Sequence, residues 1–377
     1  MTPKKIKRWT RIERWAKHRL LRYFEKSLGR KQLSPSDFDR SAVRKIVVIR
    51  QHDQIGDFIL STPALRALRE NFHDAYIALV VRPYCAPAAL HNRYVDQVIV
   101  TYERLIDLSI AGIRQFLREI RQGFDLAVML NTVSHSLTSD WVAHLSRARW
   151  VLGPEHLPFG GTRRNFFYNL IAPYPDVRRH QSLRNLEILA FLGIGTEDPS
   201  EHVSLLPTES AWADEFLERR GRERSRPLIA IQAGAAKAGN RWPVECFAET
   251  ANRLAAEFGA QFVLTWGPKE GALGETLRQM IDAPVLFGGL LDLRKTAALF
   301  RCADLVLCND TGVMHLAAGV GAPLVAVFGP TDPAEWKPIG DDFIAVRAAD
   351  GQIASVTPKM VVDAARNLLE RSRLQAA

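Results

Sequence analysis

Short runs of β-branched and aliphatic residues alternate along most of the chain with longer stretches in which apolar residues recur every three or four positions. Residues 45–50 (KIVVIR) form one such run, apolar on both faces of an extended chain, as a strand buried in a parallel sheet must be. It leads through 51–57 into a helical pattern over 58–69. The rhythm continues with strands at 75–81, 95–100, 124–130 and 149–153 and helices at 110–121 and 182–192. A second series has strands at 228–232, 261–266, 285–287, 305–308 and 324–328, with helices at 243–257, 271–280, 293–302 and 312–320. A last helix, over about 357–374, opens at Thr357-Pro358, where the missing proline N–H would be unpaired in any case. Repeated β–α–β order predicts an α/β protein of two Rossmann-like halves. Each half is a parallel sheet with helices on both faces, and ligands sit at the carboxyl ends of the strands in a cleft between the halves. The expected divisions are a basic tail at 1–42, a first half at 43–205, a linker at 206–226 with a helix near 208–220, a second half at 227–356, and a closing helix at 357–377.

Composition narrows the class. Of 377 residues, 47% are hydrophobic and 24% charged, which excludes a disordered chain, collagen or a disulfide scaffold. No apolar run approaches the ~20 residues of a membrane span, and the basic start lacks the apolar core of a signal peptide. The four cysteines are scattered without a CxxC pair, as reduced thiols of a cytosolic protein would be. The net charge of +9 belongs to the tail: residues 1–34 carry 12 Lys/Arg against 2 Asp/Glu, the rest 38 against 39. A neutral body argues against a nucleic-acid partner. Within the tail, Ile6, Trp9, Ile12, Trp15, Leu20, Tyr23 and Phe24 recur at helical spacing over 4–29, with Lys and Arg between them. Such a helix suits an anionic membrane surface; packing on the protein's own body is the alternative.

Four motifs carry candidate chemistry. In Arg50-Gln-His-Asp-Gln-Ile-Gly56-Asp57, a strand turns at a glycine and Asp57 falls at a helix start, where it either faces the cleft or caps the helix. Ala230–Pro243 opens a strand into a loop of small residues, Gly234 and Ala235 among them, with the cations Lys237 and Arg241 suited to an anion or to solvent. Leu305–Ala318 ends a strand in Asn309-Asp310-Thr311-Gly312 and starts a helix at once. Its free N–H groups and dipole suit a diphosphate, unless Asp310 or Thr311 caps them. His315 is one turn further on. Phe328-Gly-Pro-Thr-Asp-Pro333 is a rigid turn. HExxH, Walker A, GxSxG and a metal-spaced His/Cys cluster are all missing, as is a GxGxxG turn after either first strand.

In this order and spacing the motifs resemble glycosyltransferase family 9, the ADP-heptose:lipopolysaccharide heptosyltransferases. The resemblance rests on Arg50, Gly56, Asp57, Thr62 and Pro63; on His180, Asn185 and Leu186; on Gly234, Trp242 and Pro243; on Asp310, Thr311, Gly312, His315, Ala317 and Ala318; and on residues 329–333. It spans about 43–340 and implies a GT-B fold with the acceptor on the first half and the nucleotide sugar on the second. It implies an inverting, metal-independent reaction with no cofactor, in which Asp57 is the general base. The donor, ADP-heptose or a related nucleotide sugar, would meet Gly234, Ala235, Lys237, Arg241, Glu270, Asp310, Thr311, Gly312 and His315. Glu270 would hold the ribose and Asp310 the sugar hydroxyls. The acceptor, a lipopolysaccharide core or lipid-linked glycan, would meet Arg50, Gly56, Arg163 and Arg164. Arg82, Arg178 and Arg179 either face acidic core sugars or are solvated.

The family usually has Lys two residues before Trp-Pro; here it is Asn240. That departure keeps open a related transferase with another nucleotide sugar or acceptor. A non-catalytic nucleotide-binding protein is the rival from another class. The expected location is the cytoplasm, peripheral on the inner face of the cytoplasmic membrane, through residues 1–34.

Overall fold

The computed structural model describes residues 8–101, 109–132, 136–156, 162–163 and 165–376. Arg164 and the start of the tail, Ile6 included, lie outside the described residues. Helix α1 (Arg8–Leu28) precedes the first half. That half runs β1 (Lys45–Arg50), α2 (Ile55–Ile59), α3 (Thr62–Asn71), β2 (Tyr76–Val81), α4 (Ala86–Ala89), β3 (Gln97–Val100), α5 (Ile110–Ile120), β4 (Leu126–Met129), α6 (Leu137–Leu145), β5 (Trp150–Pro154), β6 (Leu170–Ala172) and α7 (Gln181–Ala190). The second half is α8 (Pro207–Glu218), β7 (Leu228–Gln232), α9 (Val244–Phe258), β8 (Gln261–Trp266), α10 (Gly271–Met280), β9 (Val285–Leu290), α11 (Leu293–Cys302), β10 (Leu305–Asn309), α12 (Gly312–Gly319), β11 (Leu324–Phe328), α13 (Pro333–Trp336), β12 (Phe343–Arg347) and α14 (Pro358–Ala376).

Each half holds a six-stranded parallel sheet, ordered β3-β2-β1-β4-β5-β6 and β12-β11-β10-β7-β8-β9. The central strands β1 and β10 are sealed on both faces, which is why residues 46–49 and 305–308 are apolar without a break and not at alternate positions. In both sheets the chain reverses its winding beside the first strand. The crevice at that switch point is where open α/β sheets hold ligands. The motif loops leave β1, β7 and β10 there.

The two-sheet expectation holds, with local differences. The helical pattern over 58–69 is two helices. Pro63 lacks an N–H and sits in the first turn of α3, so the chain breaks after Ile59 and restarts. Helix α6 was not anticipated, because its buried face includes Ser139 and Asp140; Asp140 accepts a 2.5 Å bond from the Tyr168 hydroxyl. Strands β6 and β12, at the sheet edges, and the short α4 and α13 were also missed; single turns and edge strands carry little periodicity. Helix α8 packs on α11. The 198–206 segment runs between the halves and is pinned to both. Thr62 Oγ1 accepts from the His202 N–H at 2.9 Å, and the Val203 N–H donates to the Gly319 carbonyl at 2.7 Å.

Helix α1 divides its faces. Leu21 is buried, and Phe24 packs edge-on against Trp141 of α6 at 5.2 Å. Trp15, Leu20 and Tyr23 stay exposed, with Arg19 stacked 4.7 Å from the Trp15 ring. The tail therefore packs on the body along one face and leaves an aromatic, basic face open.

Candidate active site

The two glycine motifs meet across the halves. A Cβ built on Gly56 would lie 2.8 Å from His315 Cδ2 and 3.3 Å from Gly312 Cα, and one built on Gly312 would lie 3.2 Å from the Gly56 nitrogen. Only glycine at both positions lets α2 and α12 approach backbone to backbone. Asp57 and Asp310-Thr311-Gly312 are thereby brought to one gap.

Asp57 is half-buried in the first turn of α2. One carboxylate oxygen accepts a long 3.3 Å bond from the Gln54 N–H, so the capping role is real. The other has no partner among the described residues. Beneath it, Arg50 is 2% exposed and bonds to Asp53 Oδ2 at 2.5 Å, to the Asp57 carbonyl at 2.9 Å, and to the Leu130 carbonyl. These bonds tie Arg50 to the turn that carries Asp57. Burial pushes the Asp53 carboxyl up to about 7 despite Arg50, with Asp57 adding to the rise. Gly56 packs against Gly312 and His315 of α12.

On the second half, the N-terminus of α12 carries no side-chain cap: Thr311 is the N-cap residue but caps nothing. The Asp310 carboxylate is turned sideways instead, accepting from Asn240 Nδ2 at 3.0 Å and from the Thr331 hydroxyl. The capping alternative for both residues is thus removed, and the first N–H groups of α12 remain available to an anion. Asn240, where the family has lysine, orients Asp310. Asn309, fully buried, accepts from the Trp242 N–H at 3.0 Å and donates to the Ala233 carbonyl at 2.8 Å. It locks the small-residue loop to β10, a role no expectation included. Arg241 bends back onto the Ala235 carbonyl at 2.6 Å, while Lys237 is exposed.

Glu270 lies over Gly234: a Cβ there would meet its carboxylate at 2.0 Å. One oxygen accepts from the Gly267 N–H at 2.8 Å and from Gln232 Nε2 at 3.0 Å, which orients the other. His315 is 4% exposed, and its Nδ1 bonds to the Glu201 carboxylate at 2.9 Å. Burial alone would lower its pKa, but Glu201, with Asp310 and Asp57 behind it, raises it. His315 is thus held by Glu201 beneath the gap; Glu201 was missed because it lies outside every motif. His180 bridges the halves, its Nε2–H donating to the Lys337 carbonyl at 2.8 Å while Nδ1 accepts from the Ser182 N–H. Burial holds it neutral, with its pKa down to about 4. Asn185 donates to the Leu60 carbonyl at 3.1 Å, tying α7 to the end of α2.

Arg163 is not brought to this gap by any contact. It is exposed on the β5–β6 connection, and its N–H donates to Glu25 of α1. A cavity of about 630 Å³ lies at the far end of α12, lined by Arg66, His202 and Gly321 among others; Ala318 is the one motif residue in its lining, and Asp57, Asp310, Thr311 and Gly312 are not part of it. Among the described residues, no three His, Cys, Asp or Glu side chains gather as a metal cluster.

The architecture and the sequence agree with known proteins. The model of glycosyltransferase family 9 (heptosyltransferase) matches residues 113–363, two thirds of the chain. Lipooligosaccharide heptosyltransferase 2 of Haemophilus influenzae is 23% identical over 315 residues, covering 80% of this chain and 88% of that one. Lipopolysaccharide heptosyltransferase 3 of Escherichia coli K12 is 26% identical over 310 residues, covering 79% and 86%. The crystal structure of a family 9 glycosyltransferase from Veillonella parvula superposes with a TM-score of 0.76 at 24% identity, over 87% of this chain and 97% of that one. E. coli ADP-heptose lipopolysaccharide heptosyltransferase II gives 0.71 at 21% identity, over 87% and 99%. The fold is GT-B, and this chain belongs to glycosyltransferase family 9, the heptosyltransferase family: it is a glycosyltransferase.

Proposed function

We propose that the enzyme transfers heptose from ADP-heptose to a lipopolysaccharide core acceptor, with inversion and without a metal ion. The observation that carries this reading is the close approach of Gly56 to Gly312, which puts a partly free carboxylate opposite an uncapped helix N-terminus. The names of the relatives, heptosyltransferases acting in lipooligosaccharide and lipopolysaccharide synthesis, support the donor and acceptor classes.

In the reaction, the acceptor hydroxyl oxygen attacks the anomeric carbon and its proton passes to the Asp57 carboxylate. The bond from that carbon to the diphosphate oxygen breaks, and ADP leaves with the electron pair. General-base transfer of this kind is worth ~10²–10⁴-fold. Charge growing on the diphosphate is met by the α12 N–H groups and dipole, with Lys237 the cation nearest at hand in the facing loop. The free Glu270 oxygen takes ribose hydroxyls, and Asp310, held by Asn240 and Thr331, takes sugar hydroxyls. The exposed Trp15, Leu20 and Tyr23 of α1, set among Lys and Arg, support peripheral attachment to the anionic inner face of the cytoplasmic membrane. No described helix is long and apolar enough to cross a membrane.

A panel of nucleotide sugars tests the donor. Ligand at a hundredfold its Kd stabilises the folded state by about 2.7 kcal/mol, so ADP-heptose is expected to raise the melting temperature well above UDP- and GDP-sugars. A larger response to a UDP- or GDP-sugar would move the assignment to another transferase of the same family. Silence to all of them would favour a non-catalytic protein.

A further inference from the structure

At the edge of the first sheet opposite the cleft, where β4 and β5 begin, the chain just past α1, α5 and α6 converges. A cavity of about 310 Å³ there is lined by Arg30, Arg121, His144, Leu145 and Arg147, with no carboxylate. Arg30 donates to the Ala148 carbonyl at 2.7 Å. Arg121 and Arg147 are exposed, and their guanidinium groups have no hydrogen-bond or ion-pair partner among the described residues. His144 Nδ1 is buried and unpartnered. Burial first, then the Arg30 and Arg147 charges, hold its imidazole below the usual pKa, as befits a base facing uncompensated cations.

Arginines commonly finish helices because they complement the dipole and bond the last carbonyls. None of the three does so here: Arg30 bonds the Ala148 and Arg149 carbonyls of the α6–β5 connection, and the other two guanidiniums bond no carbonyl among the described residues. Three helix ends supply roughly half a negative charge each, less than three guanidinium charges. Arg147 also holds a left-handed backbone, φ 56°, at the position after a helix that favours glycine. A side chain kept against that preference, beside an orphaned imidazole nitrogen, points to a ligand.

We propose that this pocket binds a phosphate group, either a phospholipid headgroup or a free phosphate ion. Two free guanidinium forks, the donors that Arg30 does not spend on Ala148 and Arg149, and one imidazole offer more than a two-oxygen carboxylate can accept, and they match a tetrahedral dianion. The site is separate from the transfer cleft and independent of the donor assigned above. It abuts the end of α1, whose open aromatic face lies a few turns back along the same helix.

The test uses the full chain, wild type against Arg147→Gly and Arg121→Gln. The probes are inorganic phosphate and vesicles of phosphatidic acid, with phosphatidylcholine vesicles as the control. Phosphate is expected to move the His144 titration, followed by NMR and assigned with His144→Gln, to higher pH. Both arginine variants are expected to bind the occupant at least about tenfold more weakly. Arg147→Gly is expected to melt no lower than wild type, since glycine relieves the left-handed backbone, so a binding loss is not unfolding. A response to dissolved phosphate identifies the free ion as occupant. Vesicle binding that both variants weaken, without that response, identifies the headgroup. The proposal is overturned if phosphate leaves His144 unmoved and both variants hold vesicles as the wild type does.

Discussion

Gly234 shows how tightly single residues constrain this site. Its missing Cβ is the space in which the Glu270 carboxylate sits, and a methyl group would fall 2.0 Å from it. Gly234→Ala must displace Glu270 from Gly267 and Gln232, so the nucleotide-sugar Kd is expected to rise about tenfold or more by calorimetry, the loss of one charge-assisted hydrogen bond. An unchanged Kd would show that Glu270 does not hold the donor. Gly56, Asp57 and Gly312 fall at strand-to-helix turns, so their placement was legible in the sequence. Arg50 and His315 were legible as motif residues, but not the direction of their side chains. A motif does not say whether a cation points into a cleft or beneath it, and only the contacts with Leu130 and Glu201 decide. Those partners lie 80 and 114 residues away, so no local pattern announces them.

At the scale of elements, β1, β7 and β10 were readable because strands sealed on both faces must be apolar throughout. The edge strands β6 and β12 and the single-turn helices were not, since three to five residues carry too little periodicity. Helix α1 posed a subtler problem: its pattern allows membrane contact or packing on the body, and the helix packs one face while leaving the other open. Leu21→Ala is expected to cost about 2–3 kcal/mol in urea unfolding, as a buried leucine does. Trp15→Ser and Tyr23→Ser are expected to stay within about 0.5 kcal/mol of wild type while weakening sedimentation with anionic vesicles. Undiminished sedimentation of the double variant would remove the membrane role. A helix end carrying Leu21 and Phe24 also means that cutting off residues 1–34 would bare apolar surface, so point substitutions are the cleaner probe.

For the whole molecule, the joint between the halves is built from buried polar bonds. His180 reaches across to Lys337, and the 198–206 segment is held by both halves. The His180 pKa falls from an ordinary 6.5 to about 4. Between those values the unfolded chain binds a proton that the folded one refuses, so stability declines as the pH drops from about 6.5 to 4. His202, also held near 4 by burial, adds to the trend, while the raised His315 works the opposite way, losing its contribution as pH rises through its folded pKa. Comparing His180→Gln with wild type isolates one proton, and its stability is expected to fall less steeply by about 1.4 kcal/mol per pH unit in that window. Parallel curves would mean His180 is not held neutral at the joint.

All of this serves one arrangement, in which the carboxylate just past β1 of the first half confronts the uncapped α12 N-terminus of the second. The most direct test is Asp57→Asn, measured for ADP-heptose binding by calorimetry and for transfer in single-turnover assays. The side chain is nearly isosteric and Gln54 keeps an oxygen to donate to, so the fold and donor affinity are expected to stay within about twofold while transfer drops ~10²–10⁴-fold. Transfer at a near-normal rate by the Asn variant would contradict the account.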